Sequence, residues 1–484
     1  MPRARGPSTD GYSNKVSPSP LLTIVKSYDV RGLVDSELTS SVVKALGAAF
    51  VNVIVGSGNQ LVLGHDMRQS SPLLAEAFIE GAHSAGASVI SIGLCSTDMV
   101  YFASGTKDVP SVMFTASHNP ATYNGLKFSR RKAQGVSMNT GLAEIRDRAL
   151  QYLSGEAEYG SSSGEVIHED LLADYAAYLR SLVSLDSIRP LRVVVDAANG
   201  MAGHTVPAVL QEAAGLGRLP LEVIPLYFEL DGSFPNHEAN PLEPANLVDL
   251  QRAVVEQGAD IGLAFDGDAD RCFVVDNLGN PVTPSAVAAM VAKREILRVR
   301  DSGETGDITV IHNLICSQTV AEVIVENGGT PLRTQVGHSF IKDTMRDSGA
   351  VFGGEHSAHY YFRDFWGADN GMLAALHVLS ELGHSDRALS DLVSEYSRYA
   401  ESGEINSVVA DQTAAQAAVR DAWDDRGETD HLDGLTVRGT KDGQFWWFNV
   451  RASNTEPLLR LNVEAETTQF MESVRDEVLG IIRR

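Results

Sequence analysis

The sequence predicts an α/β protein in which three consecutive, similar α/β domains with mixed sheets precede a C-terminal α+β domain. Apolar strand-like segments alternate with helical segments, which is typical of layered α/β folds. This alternation restarts twice along the chain, although no strict sequence repeat is visible. The length of 484 residues fits this organisation, because a domain usually holds roughly 100–200 residues.

The first domain is predicted over residues 22–170. Its segments at 61–66 and 87–93 are typical of buried strands, and the apolar spacing at 71–86 is typical of a helix. A further apolar strand at 110–117 runs into a polar loop.

The second and third domains are predicted over residues 171–280 and 281–399. Both repeat the alternation of strand-like and helical patterns. The segments concerned lie at 191–203, 219–228, 259–271, 308–313 and 317–329.

The C-terminal domain is predicted over residues 400–484. A charged helix at 413–428 precedes strands at 435–439, 444–453 and 458–466, and a final helix closes the chain. This order is typical of a small α+β domain.

Residues 1–21 are predicted to form a flexible tail, which lacks the apolar h-region of a secretory signal. The formal net charge of −24 argues against nucleic acid and anionic membranes as partners. No apolar run approaches the ~18–20 residues of a membrane helix. Cys95, Cys272 and Cys316 show no zinc-site spacing, and they indicate reduced thiols in a cytoplasmic protein.

The loop in FTASHNPATYNGLKFS, at 114–129, follows a buried strand, where α/β sheets present reactive groups. Ser117 is a candidate nucleophile or phosphoryl carrier, but serine needs a base, a cation or a metal beside it. His118 and Lys127 are close in sequence. The alternative is an ordinary turn with a solvated serine.

Three aspartates alternate with small residues after an apolar strand, at Asp266, Asp268 and Asp270. Carboxylates this close repel one another unless a cation lies among them, and hard oxygen ligands suit Mg²⁺. An EF-hand would need glycine in place of Arg271 and an acid in place of Asn277. Two alternatives are an acidic turn and a phosphatase with an aspartate nucleophile, although the phosphatase leaves the serine loop unexplained.

Two glycines precede Glu355, Ser357 and His359 in VFGGEHSAHYYFRDF, at 351–365. These side chains offer donors and acceptors suited to sugar hydroxyls. A polar turn before an aromatic strand is the alternative. Upstream, the segment VGHSFIK supplies His338, although a lone histidine is more often structural.

A fourth loop, RASNTEPLLR, lies in the C-terminal domain. A turn stabilised by Ser and Asn explains it about as well as a phosphate clamp does. The donors that would form such a clamp are Arg451, Ser453, Asn454 and Thr455.

Together, the four loops resemble those of the α-D-phosphohexomutase family. The matching motifs are TASHNP at 115–120, DGDADR at 266–271, GGEHSAH at 353–359 and RASNTEP at 451–457. YDVRG at 28–32 resembles the family's N-terminal motif. TASHNP followed by DGDADR is a specific combination, and the loops come in the family's order. The resemblance implies four domains around a central cleft, with one loop from each.

The resemblance also implies a mechanism in which Ser117 carries a phosphoryl group and Mg²⁺ neutralises charge during its transfer. The ligands of Mg²⁺ would be Asp266, Asp268, Asp270 and Ser117. A small-molecule hexose phosphate would react through a hexose 1,6-bisphosphate. The implied catalytic residues besides Ser117 are Lys127, His338 and Arg271, with Lys127 and His338 as candidates for moving protons. The implied substrate-binding residues are Tyr28, Arg31, Glu355, Ser357, His359, Arg451, Ser453, Asn454 and Thr455.

The loop GGEHSAHYYFRDF with the following DNGM resembles that of bacterial phosphomannomutases. This implies conversion of mannose 6-phosphate and mannose 1-phosphate, with glucose phosphates as further substrates. A phosphoglucosamine mutase or a phosphoglucomutase is the alternative, but His356 and Ala358 depart from the GGEQSGH-like loop of phosphoglucosamine mutases. A non-enzymatic sugar-phosphate binding protein would need neither the serine nor the aspartates. A monomer and a homodimer both fit these features.

Overall fold

The computed structural model describes residues 20–161, 164–452 and 458–484, except for the side chains of residues 338 and 339. The tail predicted over residues 1–21 falls mainly on residues 1–19, which lie outside the described residues. Leu21 is a correction to that prediction, because it is fully buried and begins helix α1 (Leu21–Ile24). Its apolar side chain is removed from water and therefore belongs to the folded part of the chain.

The first domain is built on a mixed sheet with helices packed against it. The sheet order is β1-β5-β4-β2-β3-β6, in which β1 and β5 run antiparallel to the strands beside them. The strands are β1 (Val30–Leu33), β2 (Gln60–His65), β3 (Ser88–Leu94), β4 (Ser111–Phe114), β5 (Tyr123–Ser129) and β6 (Val166–His168). After α1, the helices are α2 (Ser40–Phe50), α3 (Ser71–Ser84), α4 (Thr97–Lys107) and α5 (Ala143–Ser154).

The second domain contains a mixed sheet of order β11-β10-β9-β7-β8. Strand β7 is parallel to both of its neighbours, and β10 is antiparallel to both of its own. The strands are β7 (Leu191–Asp196), β8 (Leu221–Leu226), β9 (Ile261–Phe265), β10 (Cys272–Asp276) and β11 (Pro281–Val282). The helices are α6 (Leu172–Leu182), α7 (Ala202–Val209) and α8 (Val248–Gln257).

The third domain contains a mixed sheet of order β13-β12-β14-β15-β16. Its strands are β12 (Thr309–Asn313), β13 (Thr330–Thr334), β14 (Phe352–Gly354), β15 (Tyr360–Phe362) and β16 (Ala368–Asp369). Its helices are α9 (Pro284–Asp301), α10 (Gln318–Glu326), α11 (His338–Ser348), α12 (Gly371–Gly383) and α13 (Leu389–Val393).

Apart from β6, the three sheets have the same pattern of parallel and antiparallel pairings, although the antiparallel edge strand β1 comes first in the chain, whereas β11 and the equivalent β16 come last in their domains' sheets. In each, two parallel pairings are followed by two antiparallel ones, and the last parallel strand turns back into the first antiparallel strand. The turns are β4 to β5, β9 to β10 and β14 to β15. We call them the serine loop (115–122), the acidic loop (266–271) and the glutamate loop (355–359). Each begins at the carboxyl end of a parallel strand, where α/β sheets place their binding groups.

The C-terminal domain has an antiparallel sheet of order β17-β22-β21-β20-β19, with β18 also paired to β22. The strands are β17 (Ala400–Glu401), β18 (Ile405–Val408), β19 (Glu428–Asp430), β20 (Leu435–Lys441), β21 (Gln444–Ala452) and β22 (Leu458–Ala465). The helices are α14 (Gln412–Trp423) and α15 (Thr468–Ile482). The fold class is therefore confirmed, while the boundaries predicted after residues 170, 280 and 399 stay predictions.

The C-terminal domain has its own hydrophobic core. Trp423 of α14 packs against Trp446 and Phe448 of β21, with ring centroids 5.1 Å apart in both pairs. By contrast, the second and third domains share one continuous apolar cluster. A domain with a separate core can move as a unit relative to its neighbours. None of the described helices is both long and apolar enough to cross a membrane.

The junction between the third domain and the C-terminal domain is buried and polar. Glu464 accepts hydrogen bonds from the Gln318 backbone N–H (2.9 Å) and from Trp447 Nε1. The side-chain carboxylate of this C-terminal-domain residue therefore lies at the N-terminus of helix α10 in the third domain. Glu401 lies directly opposite Glu464 in the β17–β22 pair. Burial, and then the nearby Glu464 carboxylate, raise the pKa of Glu401 to about 8.

We expect the substitution Glu401→Gln to stabilise the protein at alkaline pH. A carboxyl group with a raised pKa in the folded state destabilises that state as pH rises from its ordinary pKa of 4.5 to about 8. Glutamine has no charge to bury, so the apparent Tm of E401Q should exceed that of wild type by about 2–8 °C at pH 8.5. The difference should shrink towards pH 5.

Thermal unfolding followed by circular dichroism across this pH range measures the effect. Glu256→Gln, at an exposed site on α8, is the matched control and should leave the pH profile unchanged. A constant difference between E401Q and wild type at every pH would contradict a buried, protonated Glu401.

Candidate active site

The serine loop holds Ser117 in a constrained conformation. Ser117 is only 2% exposed, and its φ of 48° lies in the left-handed region that non-glycine residues seldom adopt. Its backbone N–H donates to Thr115 Oγ1 (2.8 Å), and its carbonyl accepts from Arg68 Nη2 (2.8 Å). These bonds fix the direction of the hydroxyl and offset the strain.

Arg68 organises the whole loop, and the sequence did not single it out. Its two terminal nitrogens donate to four backbone carbonyls, at distances of 2.7–3.0 Å. Asp66 pairs with its Nε at 3.2 Å, inside the protein. The carbonyls belong to Ser117, Asn119, Pro120 and Tyr123. The segment GHDMR, at 64–68, spans the end of β2 and was the only signal for Arg68 in the sequence.

The serine loop and the acidic loop are in direct contact. Ser117 Oγ donates to Asp266 Oδ2 at 2.8 Å. Thr97 of α4 also joins the first domain to the second, because its Oγ1 donates to Asp268 Oδ2 (2.6 Å). Gly267 permits this approach, since a methyl group there would lie 2.4 Å from the Ser117 carbonyl oxygen.

The three aspartates of the acidic loop form a compact, buried cluster. Carboxylate oxygens of Asp266, Asp268 and Asp270 lie within 4.8 Å of one another. Lys127 Nζ bridges two of them, at 2.7 Å from Asp268 and 2.5 Å from Asp270. Arg271 binds the third, with its Nε 2.9 Å from Asp266 Oδ2.

The charges of this cluster determine its protonation states. Burial lowers the pKa of Lys127, but Asp268 and Asp270 outweigh burial and hold that pKa well above its ordinary value. Burial raises the pKa of Asp268, but Lys127 outweighs it and lowers the pKa overall. Burial, followed by the charge of Arg271, lowers the pKa of His118 well below 6.5, so its Nδ1 accepts from Arg271 Nη2 (2.6 Å).

The cluster has room for one more cation. The second carboxylate oxygens of Asp268 and Asp270 are buried and accept no hydrogen bond from any described residue. Buried carboxylate oxygens normally have a partner. A divalent cation with oxygen ligands would satisfy both oxygens, and Ser117 Oγ beside Asp266 is close enough to share in the site.

The glutamate loop presents its side chains from the third domain. Glu355 is buried and accepts from Tyr361 Oη (2.6 Å) through Oε1, while Ser357 Oγ lies 3.4 Å from its Oε2. His359 Nδ1 lies 3.0 Å from Asp369 Oδ2. Burial lowers the pKa of His359, but its hydrogen bond to Asp369 outweighs burial and raises that pKa overall.

These loops meet in one cavity, which lies among the first three domains. Arg31 borders it and binds the serine loop, with Nη1 2.6 Å from Asn119 Oδ1 and Nε 2.7 Å from Asp29. The full lining is Tyr28, Arg31, Tyr101, Ser117, His118, Lys127, Asp270, Arg271, His359 and Asp369.

Two parts of the sequence-derived site are not described by the structure. Ser453, Asn454 and Thr455 lie outside the described residues. His338 begins α11, but its side chain also lies outside them. Arg451 is described and is not in the cavity lining; it and Arg460 both bind Glu404, at 2.6 and 3.2 Å.

Three family models match nearly the whole of the α/β region, and a fourth matches the C-terminal domain. They are the phosphoglucomutase/phosphomannomutase α/β/α domains I, II and III, at residues 23–154, 173–279 and 283–399. The C-terminal domain model of the same family matches residues 404–481.

The chain belongs to the phosphoglucomutase/phosphomannomutase family. It is 39% identical, over 466 residues, to a protein of Xanthomonas campestris pv. campestris named "Phosphohexose mutases", which covers 96% of this chain and 99% of the relative. A "Phosphomannomutase" of Salmonella montevideo is 35% identical over 465 residues, covering 95% and 99%.

A solved structure confirms the architecture. The crystal structure of a phosphoglucomutase/phosphomannomutase family protein from Burkholderia thailandensis matches with a TM-score of 0.82 and 28% identity. It covers 95% of this chain and 97% of the other. The chain is therefore an enzyme of the phosphohexomutase class, an intramolecular phosphotransferase.

We expect the substitution Gly267→Ala to displace the serine loop from the acidic loop and so to reduce mutase activity. A contact of 2.4 Å with a backbone oxygen requires the backbone to move. Misplacing a reacting group by about 1 Å costs about 100-fold in kcat/KM. Steady-state kinetics with a hexose phosphate measures the loss, and circular dichroism checks that the fold is retained.

Gly217→Ala is the matched control, because a methyl group at that second-domain position meets no atom within 4 Å. It should keep wild-type activity. Wild-type kcat/KM in G267A would show that the close approach of the two loops is dispensable.

Proposed function

We propose that the protein is a phosphomannomutase that interconverts mannose 6-phosphate and mannose 1-phosphate. The reaction would run through a phosphoserine at Ser117 and a hexose 1,6-bisphosphate. The observation that carries this proposal is the 2.8 Å contact between Ser117 Oγ and Asp266 inside a buried acidic cluster. The name of the Salmonella montevideo relative supports mannose as the sugar.

The charges around Ser117 suit a phosphoryl group once a divalent cation is bound. Three carboxylates face Lys127 and Arg271, which leaves one net negative charge. One Mg²⁺, held by Asp266, Asp268, Asp270 and Ser117, would reverse that charge. Bound Mg²⁺ would supply charge neutralisation at the transferring phosphoryl group. Lys127 outweighs burial and lowers the pKa of Asp268, which favours its ionised, ligating form, whereas burial raises the pKa of Asp266 to about 7.

The remaining loops would bind the rest of the substrate. Glu355, Ser357 and His359 would bind sugar hydroxyls, and Tyr28 and Arg31 would close the cavity beside the serine loop. The phosphate group of the substrate that does not face Ser117 would bind Arg451, Ser453, Asn454 and Thr455. Within the described part of the chain, Arg451 and Arg460 both bind Glu404, and their guanidinium groups are donors suited to an anion.

The bisphosphate must present each of its phosphoryl groups to Ser117 in turn. It can do so only if the cavity opens while the ligand stays bound. The separate core of the C-terminal domain would allow that domain to move for this purpose. The proposal further includes a cytoplasmic location and a monomer or homodimer, with no nucleic acid or membrane as partner. Mannose or glucose 1,6-bisphosphate would serve as activator.

We expect Mg²⁺ to stabilise the protein through the acidic loop. A ligand that binds only the folded state raises Tm with its concentration. Asp270→Asn removes one charged ligand, so it should need at least about tenfold more Mg²⁺ for the same shift. Thermal unfolding in a Mg²⁺ titration measures this. Asp421→Asn, at an exposed site on α14 of the C-terminal domain, is the control, and equal shifts in wild type and D270N would contradict the assignment.

We expect Ser117→Ala to abolish phosphoryl transfer, with a loss of kcat of about three orders of magnitude or more. Alanine cannot carry the phosphoryl group. The assay combines mutase turnover with intact-mass measurement, in which wild type should gain a phosphoryl adduct from the bisphosphate and lose it on incubation with hexose phosphate.

Ser129→Ala, at an equally buried serine of the same domain, is the matched control. Wild type should be compared on mannose, glucose and glucosamine phosphates, and the highest kcat/KM should be for mannose. A higher kcat/KM for glucosamine or glucose phosphates would show that mannose is the wrong sugar in this proposal. Substantial turnover by S117A would refute the phosphoserine itself.

A further inference from the structure

A second cavity lies where the third domain meets the C-terminal domain, and it shares no lining residue with the cavity beside Ser117. Its volume is about 410 Å³, which is within the range of sites for small molecules. Strands β12 and β13 and helix α10 form one side, and strands β20 and β21 form the other. We call it the junction cavity, and its polar and aromatic boundary includes His312, Arg333, Thr436, Arg438, Phe445 and Trp447.

The C-terminal side of the junction cavity is the face of the sheet that points away from the apolar core of that domain. Val437 and Phe448 lie in the core with residues of α14 and α15. Their neighbours along the strands point the other way, because side chains alternate between the two faces of a sheet. Arg438 and Trp447 lie directly opposite each other on this face. A guanidinium group and an aromatic ring are therefore presented side by side.

Two arginines from different domains meet at the junction cavity. Arg333 of β13 and Arg438 of β20 both bind the Asp430 carboxylate through Nη2, and the Arg438 contact is 3.3 Å long. Both side chains are partly exposed, and Asp430 is their only hydrogen-bond partner among the residues that the structure describes. A guanidinium group has five N–H donors, so each arginine keeps donors that suit a phosphate group.

His312 brings an accepting nitrogen to the third-domain side of the junction cavity. It is only 8% exposed, and burial lowers its pKa to about 4, so the ring is neutral near neutral pH. Nδ1 lies 3.1 Å from the Asn313 carbonyl oxygen, which can only accept, so Nδ1 carries the proton. Nε2 is then an acceptor, and no described residue donates a hydrogen bond to it. A buried acceptor normally has a partner.

We propose that the junction cavity binds a nucleoside monophosphate, and that the bound ligand slows turnover. In this arrangement the phosphate group lies between Arg333 and Arg438, and the planar base stacks on Phe445 and Trp447. His312 Nε2 accepts a hydrogen bond from the nucleoside.

The chemistry of the boundary favours a nucleotide over simpler phosphates. Every base has a planar π face that stacks on Phe or Trp, whereas inorganic phosphate has no ring and a hexose ring is not aromatic. The carboxylate of Asp430 repels additional negative charge, which favours one phosphate group over two.

A water-filled gap between two domains is the competing explanation of the junction cavity. Arg333 alone neutralises Asp430 and joins the two domains. The second guanidinium group, from Arg438, exceeds what that ion pair needs. An anionic ligand accounts for the second arginine, and the nucleoside accounts for the aromatic rings and for the accepting nitrogen of His312.

A ligand in the junction cavity touches both domains. The proposed function requires the C-terminal domain to move while the bisphosphate stays bound, and the slowing of turnover rests on that function. A molecule that bridges Arg333 and Arg438 binds only when the two arginines are close, so it stabilises the arrangement in which the domains are in contact. Turnover then slows because the domains separate less often.

Isothermal titration calorimetry of the full chain tests the site, with adenosine, guanosine and uridine monophosphates and inorganic phosphate as probes. We expect one molecule of at least one nucleotide to bind, and to bind more tightly than inorganic phosphate. Arg438→Ala should weaken this binding at least about tenfold, because hydrogen bonds from a charged group are lost. Phe445→Leu should weaken nucleotide binding about tenfold through lost stacking, and it should leave the binding of inorganic phosphate unchanged.

Arg420→Ala, at an exposed position on α14, is the matched control and should bind the probes as wild type does. Circular dichroism checks that each variant is folded. Failure of all three nucleotides to bind at millimolar concentration would overturn the inference. Equal affinity for nucleotide and inorganic phosphate, or unchanged nucleotide affinity in R438A, would do the same.

Steady-state kinetics tests the slowing of turnover. At saturating hexose phosphate, the nucleotide that binds should lower the kcat of wild type at least about fivefold. R438A should need at least about tenfold more nucleotide for the same loss. A raised KM with unchanged kcat would place the nucleotide in the cavity beside Ser117 and would overturn the inference. Wild type that turns over no hexose phosphate would instead refute the proposed function, and calorimetry would still decide whether the site exists.

Discussion

The carboxylates of the acidic loop lie within 4.8 Å of one another and are almost completely removed from water. Their repulsion has to be offset by nearby cations and donors. The first domain provides the ammonium group of Lys127 and the hydroxyl group of Thr97, and the acidic loop itself provides the guanidinium group of Arg271. The need to neutralise this charge joins the first two domains at the point where Ser117 lies. The geometry around Ser117 and the packing of the first two domains therefore depend on the same contacts.

The repeated sheet topology explains how three distant segments of chain reach one cavity. Each sheet turns from its last parallel strand into an antiparallel one, and each turn contains a residue with a positive φ. These residues are Ser117 (48°), Ala269 (61°) and Ala358 (65°). Non-glycine residues adopt this conformation at a cost that the surrounding structure must offset. At Ser117, the four carbonyl contacts of Arg68 supply that support.

The C-terminal domain is attached differently from the other three. Its apolar core is separate, and its junction with the third domain includes polar groups around Glu464 and Glu401 and an ion pair between Arg333 and Asp430. Polar contacts of this kind can be broken and re-formed at a lower free-energy cost than the contacts of a continuous apolar core, because water can replace the hydrogen bonds. This attachment suits the domain movement that the proposed function requires.

The sequence by itself determined the fold class and the positions of the serine loop and the acidic loop. Apolar strands ending in polar segments were visible at Ser117 and at the three aspartates, because both signals are local in sequence. The shared pattern of strand pairing in the three sheets was visible in the sequence only as a repeated alternation of strand-like and helical segments. Leu21 was assigned to the tail because its polar, proline-rich neighbours hid the burial of one apolar side chain.

Only the tertiary structure decided which side chains act together. Arg68 reaches the serine loop across about fifty residues of sequence, and Asp369 joins His359 to Lys342 from three different elements. No periodicity or spacing encodes such contacts, because they depend on how strands pair and how domains pack. Burial then decides the outcome, since a charge removed from water is tolerated only where the fold brings a partner to it.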